Sequence, residues 1–221
     1  MTDPEDLRGD PLHDREVAAV LHESIPILES NDIPYVVIGG IATSKWGKPA
    51  AVKDLDYFVT KEDAERALKL LGSAGYKTEM TFPDWLYKAF KGPVMIDLIF
   101  AVKKKLHLDD EIVARAVEHE LFGQKLKVVG PEDLVISLAV ADSPDTPYWD
   151  NALSVLANTT QLDWEYLVRR ADAAPQRMLG LLLYARSDGS PVPTAPMNEL
   201  WDKVKNIDLA SKGTPEILRS A

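Results

Sequence analysis

The sequence predicts an α+β fold in which a small mixed β-sheet with flanking helices is followed by a helical C-terminal part. Three observations lead to this prediction. The β-branched segment 35–38 is short and stops at Gly39 and Gly40, which is typical of a buried strand. The run 94–102 is apolar apart from Asp97, as in a central strand. After Gly130 the apolar residues recur with helical spacing.

The N-terminal part is predicted to contain a tail and then the sheet. Residues 1–13 are polar and contain two prolines, which predicts a flexible tail. Thr60 and Asp63 form the start of a helix that resembles a capping box, and Gly75 ends this helix. Helices are predicted at 14–30, 41–45, 60–73 and 109–118, and strands at 35–38, 55–59, 76–82, 85–90, 94–102 and 125–129.

The remaining residues are predicted to be helical. Pro131 stands in the first turn of the first of these helices, where proline is favoured because its missing N–H is not needed. The predicted helices are 132–141, 149–157, 164–173, 177–186 and 198–204. We therefore expect a sheet-containing core at 14–130 and a helical region at 131–221.

Composition and charge exclude several classes of protein. The 221 residues are 46% hydrophobic and 27% charged, as in an ordinary globular protein rather than a disordered or fibrous one. A formal net charge of −10 is the opposite of what nonspecific nucleic-acid binding requires, although a local basic groove is compatible with it. The absence of cysteine excludes disulfides and thiolate metal sites.

The N-terminal residues and the apolar runs bear on where the protein acts. Residues 1–6 are acidic where a secretory signal would be basic. No apolar run approaches the roughly 20 residues that span a bilayer. We therefore expect a cytoplasmic protein with no membrane partner.

Three aspartates indicate a metal site. Side chains alternate along a strand, so Asp54 and Asp56 lie on the same face. Two carboxylates roughly 4 Å apart repel by about 4 kcal/mol at an effective dielectric constant near 20, which favours a bound cation. If Asp97 lies on a neighbouring strand and faces the same way, the three carboxylates suit two magnesium ions and in-line phosphoryl displacement.

The glycine pair before these aspartates suits a phosphate. Gly39 and Gly40 stand at a strand-to-helix turn, where a phosphate can approach the backbone and the N–H groups of the next helix. Ser44 and Lys45 lie close to this turn, and Lys53 precedes the carboxylate pair. We predict that these five residues bind a nucleoside triphosphate.

The ordered motifs resemble those of the polymerase-β-like nucleotidyltransferase superfamily. Gly39-Gly40 resembles its glycine motif, and Asp54-x-Asp56 with Asp97 resembles its three metal-binding carboxylates. The segments 46–49 and 130–134 are most similar to the AbiEii and MenT-type toxin branch. The resemblance covers roughly residues 31–170 and is specific as an ensemble of motifs.

This resemblance implies an activity. The expected enzyme is a magnesium-dependent nucleotidyltransferase that moves a nucleoside monophosphate from an NTP to a hydroxyl, with Asp54, Asp56 and Asp97 as catalytic residues. In the toxin branch the acceptor is typically tRNA. A tRNA or a protein hydroxyl is therefore the expected acceptor, and an antitoxin protein is an expected partner.

Two alternatives are open at the level of sequence. The branch usually carries an arginine and a threonine where this chain has Ala50 and Val52, and segment 135–141 lacks a lysine that is usual there. These departures favour a catalytically degenerate nucleotide-binding or interaction module of the same fold. A metal-dependent glycosyltransferase is the other alternative, because Asp-x-Asp also serves sugar nucleotides.

Overall fold

The fold is described by a computed structural model that covers residues 11–49, 51–145 and 147–206. Within these ranges the seven strands are β1 (Val36–Val37), β2 (Leu55–Phe58), β3 (Lys77–Phe82), β4 (Leu86–Lys91), β5 (Val94–Ile99), β6 (Val117–Leu121) and β7 (Gln124–Val128). The nine α-helices of the same ranges are α1 (Pro11–Glu29), α2 (Gly39–Trp46), α3 (Lys61–Ser73), α4 (Asp110–Arg115), α5 (Pro131–Ala141), α6 (Trp149–Asn158), α7 (Trp164–Arg170), α8 (Pro175–Ser187) and α9 (Thr194–Lys205).

The strands form one mixed sheet. Their order is β3-β4-β5-β2-β1-β7-β6, with β2 parallel to β5 and β1 parallel to β7. The other neighbouring strands are antiparallel. The prediction of an α+β fold with a mixed sheet and helices in the C-terminal part is confirmed.

One hydrophobic cluster extends through the sheet and the C-terminal helices. Tyr57 of β2 is completely buried, and its hydroxyl shares a 2.8 Å hydrogen bond with Ser24 of α1. Leu134 of α5 and Leu181 of α8 are completely buried in the same cluster. α1 and α3 contact the strands directly, whereas α5 and α6 contact α2, which in turn contacts β2. The central strands supply the pocket described below.

The prediction of a helix at 109–118 was wrong at its C-terminal end, residues 116–118. α4 ends at Arg115, and β6 then forms an antiparallel hairpin with β7. Phe122 and Gly123 join the two strands with φ values of 50° and 77°, which suit the turn of a two-residue hairpin. The alternating pattern of 117–121 is a strand signal, and the turn gives it a partner to pair with.

Further boundaries differ from the predictions, among them the start of α9 at Thr194 rather than at residue 198 and the three that follow. α1 begins at Pro11, ahead of residue 14, and residues 1–10 of the predicted tail lie outside the described residues. α2 begins at Gly39 rather than at residue 41. β5 ends at Ile99 rather than at residue 102, because the chain then closes a tight turn in which Val102 N–H donates to the Leu106 carbonyl oxygen at 2.8 Å. Within the described residues, no helix is both long enough and apolar enough to cross a membrane.

Candidate active site

The register of the sheet places Asp56 directly beside Asp97. β2 and β5 run parallel, and these two residues are partners in their pairing. On the other side of β5, Lys88 of β4 is the partner of Asp97. Directly paired residues present their side chains on the same face, so the two carboxylates and the ammonium group lie together. Asp54 immediately precedes β2 and completes the set.

Gly39 makes room for the carboxylate of Asp56. Its φ is +62°, and a Cβ atom built on it would lie 1.9 Å from Asp56 Oδ2. The backbone N–H of Gly40 donates a hydrogen bond to the same carboxylate. A Cβ on Gly40, in contrast, meets no heavy atom within 4 Å among the described residues. Gly39 is therefore required by sterics, and the turn holds Asp56 through its backbone.

The pKa values of Asp56 and Asp97 are both raised. Burial raises the pKa of Asp56 to about 7, and the charges of Asp54 and Asp97 contribute in the same direction. Burial also raises the pKa of Asp97, while the hydrogen bond and charge of Lys88 oppose that rise. The Lys88 Nζ lies 2.6 Å from Asp97 Oδ1, and both side chains are mostly buried. The cluster therefore favours an incoming positive charge.

One pocket of about 1010 Å³ contains this cluster. Its lining includes Asp54, Asp56 and Asp97 together with Gly39, Gly40 and Lys53. Six of the eight residues singled out from the sequence are therefore brought together.

Ser44 and Lys45 do not line this pocket as the structure describes it. The Nζ of Lys45 lies 4.7 Å from the ring centroid of Trp46, and its charge acts on His119 of β6. Trp46 is itself fixed by a 2.7 Å hydrogen bond from its Nε1 to the carbonyl oxygen of Val129. Lys45 therefore extends toward the β7–β6 side of the sheet, because residue 45 lies on a different face of α2 from Gly40 and Thr43.

Several pocket residues were missed by the sequence analysis. Burial raises the pKa of Tyr148, and the charges of the three nearby aspartates raise it further. Asn151 and Ser137 line the pocket from α6 and α5, and Trp85 lines it from the turn before β4. No sequence signal marks these positions, because their approach depends on how the helices pack over the sheet. Lys88 had a usable signal, since it alternates with buried Tyr87 and Ala89 along β4.

The donor atoms of the cluster suit magnesium, which prefers carboxylate oxygens. Burial and the charges of Asp54 and Asp97 together raise the pKa of Asp56, and a divalent cation relieves such a concentration of negative charge. Over the described ranges, however, no group of three or more His, Asp or Glu side chains is already arranged around a cation position. Asp97 is already bound by Lys88, which is one reason why the carboxylates do not surround a cation position. The residues thus fit the cation by chemistry, and a closed cage is not preformed.

A comparison with known protein families shows the class of protein. Residues 12–186 match the family described as "Uncharacterised nucleotidyltransferase". The chain belongs to this nucleotidyltransferase family. No curated protein matches the chain.

Several solved structures are similar at low identity. The antibiotic-resistance factor ANT(2'')-Ia is 11% identical, with 87% of this chain and 92% of that chain covered and a TM-score of 0.47. The lincosamide antibiotic adenylyltransferase LnuA is 15% identical, with 62% and 96% covered and a TM-score of 0.46. An antigenic nucleotidyltransferase-like protein from Paracoccidioides brasiliensis is 15% identical, with 84% and 92% covered and a TM-score of 0.44. Similarity at this level carries no information about the substrate of this chain.

Proposed function

We propose that the protein is a magnesium-dependent nucleotidyltransferase that moves a nucleoside monophosphate from an NTP to a hydroxyl acceptor. The observation that carries the proposal is the convergence of Asp54, Asp56 and Asp97 in one pocket, next to the glycine turn that begins α2. In this proposal the three aspartates are the catalytic carboxylates. Family membership supports the reaction class.

The donor triphosphate binds at the glycine end of the pocket. Gly40 carries no side chain, and the space that its Cβ would fill is open among the described residues, so phosphate oxygens can approach the start of α2 closely. Lys53 lines the same pocket and supplies a positive charge. Ser44 and Lys45, which we also predicted to bind the donor, do not line the pocket, so the pocket supports their role less than it supports that of Lys53.

Asp54 and Asp56 would hold magnesium on the donor side, and Asp97 would hold it on the acceptor side. When bound, magnesium neutralises charge on the triphosphate and makes the acceptor hydroxyl easier to deprotonate. Asp97 is positioned by Lys88, which holds its Oδ1. The carboxyl of Asp97 has a raised pKa, which makes it a better proton acceptor than a surface carboxylate.

The transfer step conserves atoms and charge. The acceptor oxygen bonds to the α-phosphorus, the bond from that phosphorus to the oxygen bridging to the β-phosphate breaks, and pyrophosphate leaves. The hydroxyl proton passes to Asp97. The chain contributes mainly position and charge, as is usual for phosphoryl transfer.

The identity of the acceptor is a finer part of the proposal. The resemblance to the AbiEii and MenT-type branch supports tRNA, or a protein hydroxyl, as the acceptor in the cytoplasm, with an antitoxin as partner. A gene for a small partner protein beside the gene for this chain would support that role.

The Lys88–Asp97 ion pair favours a second candidate function. A lysine that binds the third carboxylate at 2.6 Å competes with a cation for it. Val52, one of the departures from the branch, is buried, whereas Ala50 lies outside the described residues. This second candidate is a nucleotide-binding module of the same fold that no longer transfers.

The test is incubation with magnesium and each of the four radiolabelled NTPs, in the presence of total tRNA and a cell extract. We expect label on an RNA or protein band with the wild type and none with Asp56→Asn or Asp97→Asn. Asp188→Asn is the matched control, because Asp188 is exposed in the turn after α8. Equal labelling by Asp56→Asn and the wild type would contradict the proposal. Triphosphate binding without labelled product would favour the module.

A further inference from the structure

The pocket has a second end, remote from the glycine turn. The sheet order β4-β5-β2-β1 places Trp85, which precedes β4, three strand positions from the end of β1. With about 4.8 Å between neighbouring strands, the two ends are about 14 Å apart in the direction across the strands. Asp97 and Asp56 lie between them on β5 and β2. We name this second end the aromatic–lysine rim and define it by Trp85, Val102, Lys103 and Lys104, all of which line the pocket.

The indole of Trp85 is a fixed, flat wall of the rim. It stacks on Phe82 with the ring centroids 5.1 Å apart and an angle of 16° between the rings. Its backbone N–H donates to the Phe82 carbonyl oxygen, and its carbonyl oxygen accepts from Phe100 N–H, both at 3.0 Å. The stack on Phe82 covers one face of the indole, and Trp85 also lines the pocket. A planar ring can therefore bind there without ordering the tryptophan first.

The two lysines of the rim stand on a strained turn. Lys103 and Lys104 have φ values of 50° and 58°, and consecutive non-glycine residues rarely adopt this conformation. The Nζ of Lys104 lies 2.7 Å from Asp84 Oδ2, which ties this turn to the one that carries Trp85. Lys103 makes no ion pair with a described residue. The turn thus carries one positive charge with no ion-pair partner among the described residues, and it lines the same pocket as Trp85.

The distribution of charge in the pocket favours an acceptor with an anionic group over a polycationic one. Apart from Asp54, Asp56 and Asp97, the described lining residues carry no carboxylate, and the rim carries two lysines. At this end a polycationic acceptor would meet the ammonium group of Lys103 and a Lys104 that already pairs with Asp84, which does not line the pocket. A planar ring with an attached anionic group would meet a stacking surface and an ammonium group.

We propose that the aromatic–lysine rim binds the acceptor, and that the acceptor carries a planar ring and a phosphate, with the ring on Trp85 and the phosphate on Lys103. This inference rests on the proposed function, because the carboxylates between the two ends then lie between donor and acceptor. A free nucleotide and the terminal nucleotide of an RNA share this chemistry. Lys103 and Trp85 are therefore specificity-determining residues for the acceptor.

The test uses the full chain labelled with 5-fluorotryptophan and observes ¹⁹F NMR, with the Trp85 resonance assigned from Trp85→Phe. Magnesium and a non-hydrolysable ATP analogue are present throughout to fill the glycine end. Adenosine 5′-monophosphate, adenosine, inorganic phosphate and spermine are then titrated separately. We expect the monophosphate to shift the Trp85 resonance with saturation, and spermine to leave it unmoved.

Two lysine variants separate a specific contact from general charge. Lys103→Ala should weaken binding of the monophosphate about tenfold, as for loss of one charge-assisted hydrogen bond, and leave binding of adenosine unchanged. Lys105→Ala is the matched control, because Lys105 is exposed on the same turn but does not line the pocket. An unmoved Trp85 resonance, an equal loss in both variants, or a saturable response to spermine overturns the proposal.

Titration of a short RNA that ends in adenosine distinguishes an RNA end from a free nucleotide as the ligand. Binding about tenfold tighter than that of the monophosphate supports an RNA end, and equal binding supports a free nucleotide. The outcome is separable from that of the transfer reaction. A response at Trp85 without labelled product contradicts only the proposed function, and labelled product with an unmoved Trp85 contradicts only this inference.

Discussion

At the scale of single residues, the two glycines of the pocket have different physical roles. Gly39→Ala places a methyl group against the Asp56 carboxylate and forces a side chain into a left-handed conformation. The backbone strain alone lowers the free energy of unfolding by about 1–2 kcal/mol, and we expect nucleotide transfer to be lost because Asp56 is displaced. Gly40→Ala is the control, since its methyl group meets open space. Urea denaturation of both variants tests this prediction, which equal stabilities would contradict.

Lys88 determines how far Asp97 is available to a cation. Lys88→Met leaves a mostly buried carboxylate without its partner, which should destabilise the protein by about 3 kcal/mol in the absence of magnesium. Magnesium should then raise the melting temperature more in the variant than in the wild type. Lys77→Met is the control, because Lys77 is exposed and pairs with Glu79 at the surface. If magnesium raises both melting temperatures equally, Lys88 does not compete for the site.

At the scale of elements, we expect alanine substitutions of two glycines to change the free energy of unfolding with opposite signs. Gly123, in the β6–β7 turn, has φ +77°, so Gly123→Ala should lower the free energy of unfolding by about 1 kcal/mol. Gly180 lies inside α8, where a Cβ would be in ordinary contact with Trp149 at 3.6 Å. Gly180→Ala should therefore raise the free energy of unfolding by about 0.5–1 kcal/mol, through helix propensity. Denaturation curves measure both, and shifts of the same sign would refute the argument.

Elements with strong local signals were predictable, and those that depend on a partner were not. α3 was predicted almost to the residue, because Thr60 caps it by accepting from the N–H of Asp63. β6 was missed because its pattern becomes a strand only when β7 pairs with it. Val102 was assigned to a strand because it continues an apolar run, yet the strained lysine turn begins there. The local sequence pattern does not show which distant segments pair, and this pairing decides whether such segments form strands.

At the scale of the whole molecule, the carboxylate cluster was predictable as a set but its surroundings were not. Strand alternation put Asp54 and Asp56 on one face, and the cost of an isolated buried charge singled out Asp97. Their juxtaposition needs the parallel pairing of β2 with β5, which joins distant parts of the chain. Trp85 and Tyr148 reach the pocket only through the packing of β4 and α6 around it, so no local signal marks them.

The junction between the sheet and the C-terminal helices contains a buried carboxyl that predicts a pH dependence of stability. Asp133, near the start of α5, is 2% exposed, and the Tyr166 hydroxyl donates to its Oδ1 and Oδ2 at 2.9 and 2.8 Å. Burial raises its pKa to about 6, against the opposing effects of Tyr166, Arg170 and Arg115. The folded state therefore holds this proton more tightly than the unfolded state does, for which the pKa is about 3.9.

Because the pKa of Asp133 is raised on folding, its contribution to stability is fully present below about pH 4 and is lost as the pH rises to about 6. A shift of about two units corresponds to about 3 kcal/mol as an upper bound. Asp133→Asn keeps an acceptor for the Tyr166 hydroxyl but cannot ionise. The difference in free energy of unfolding between variant and wild type should therefore move in favour of the variant by about 2–3 kcal/mol between pH 4 and pH 7. Urea denaturation across this range measures that difference, in which the other carboxyl groups cancel. Parallel curves for the two proteins would show that Asp133 titrates alike in the folded and unfolded states.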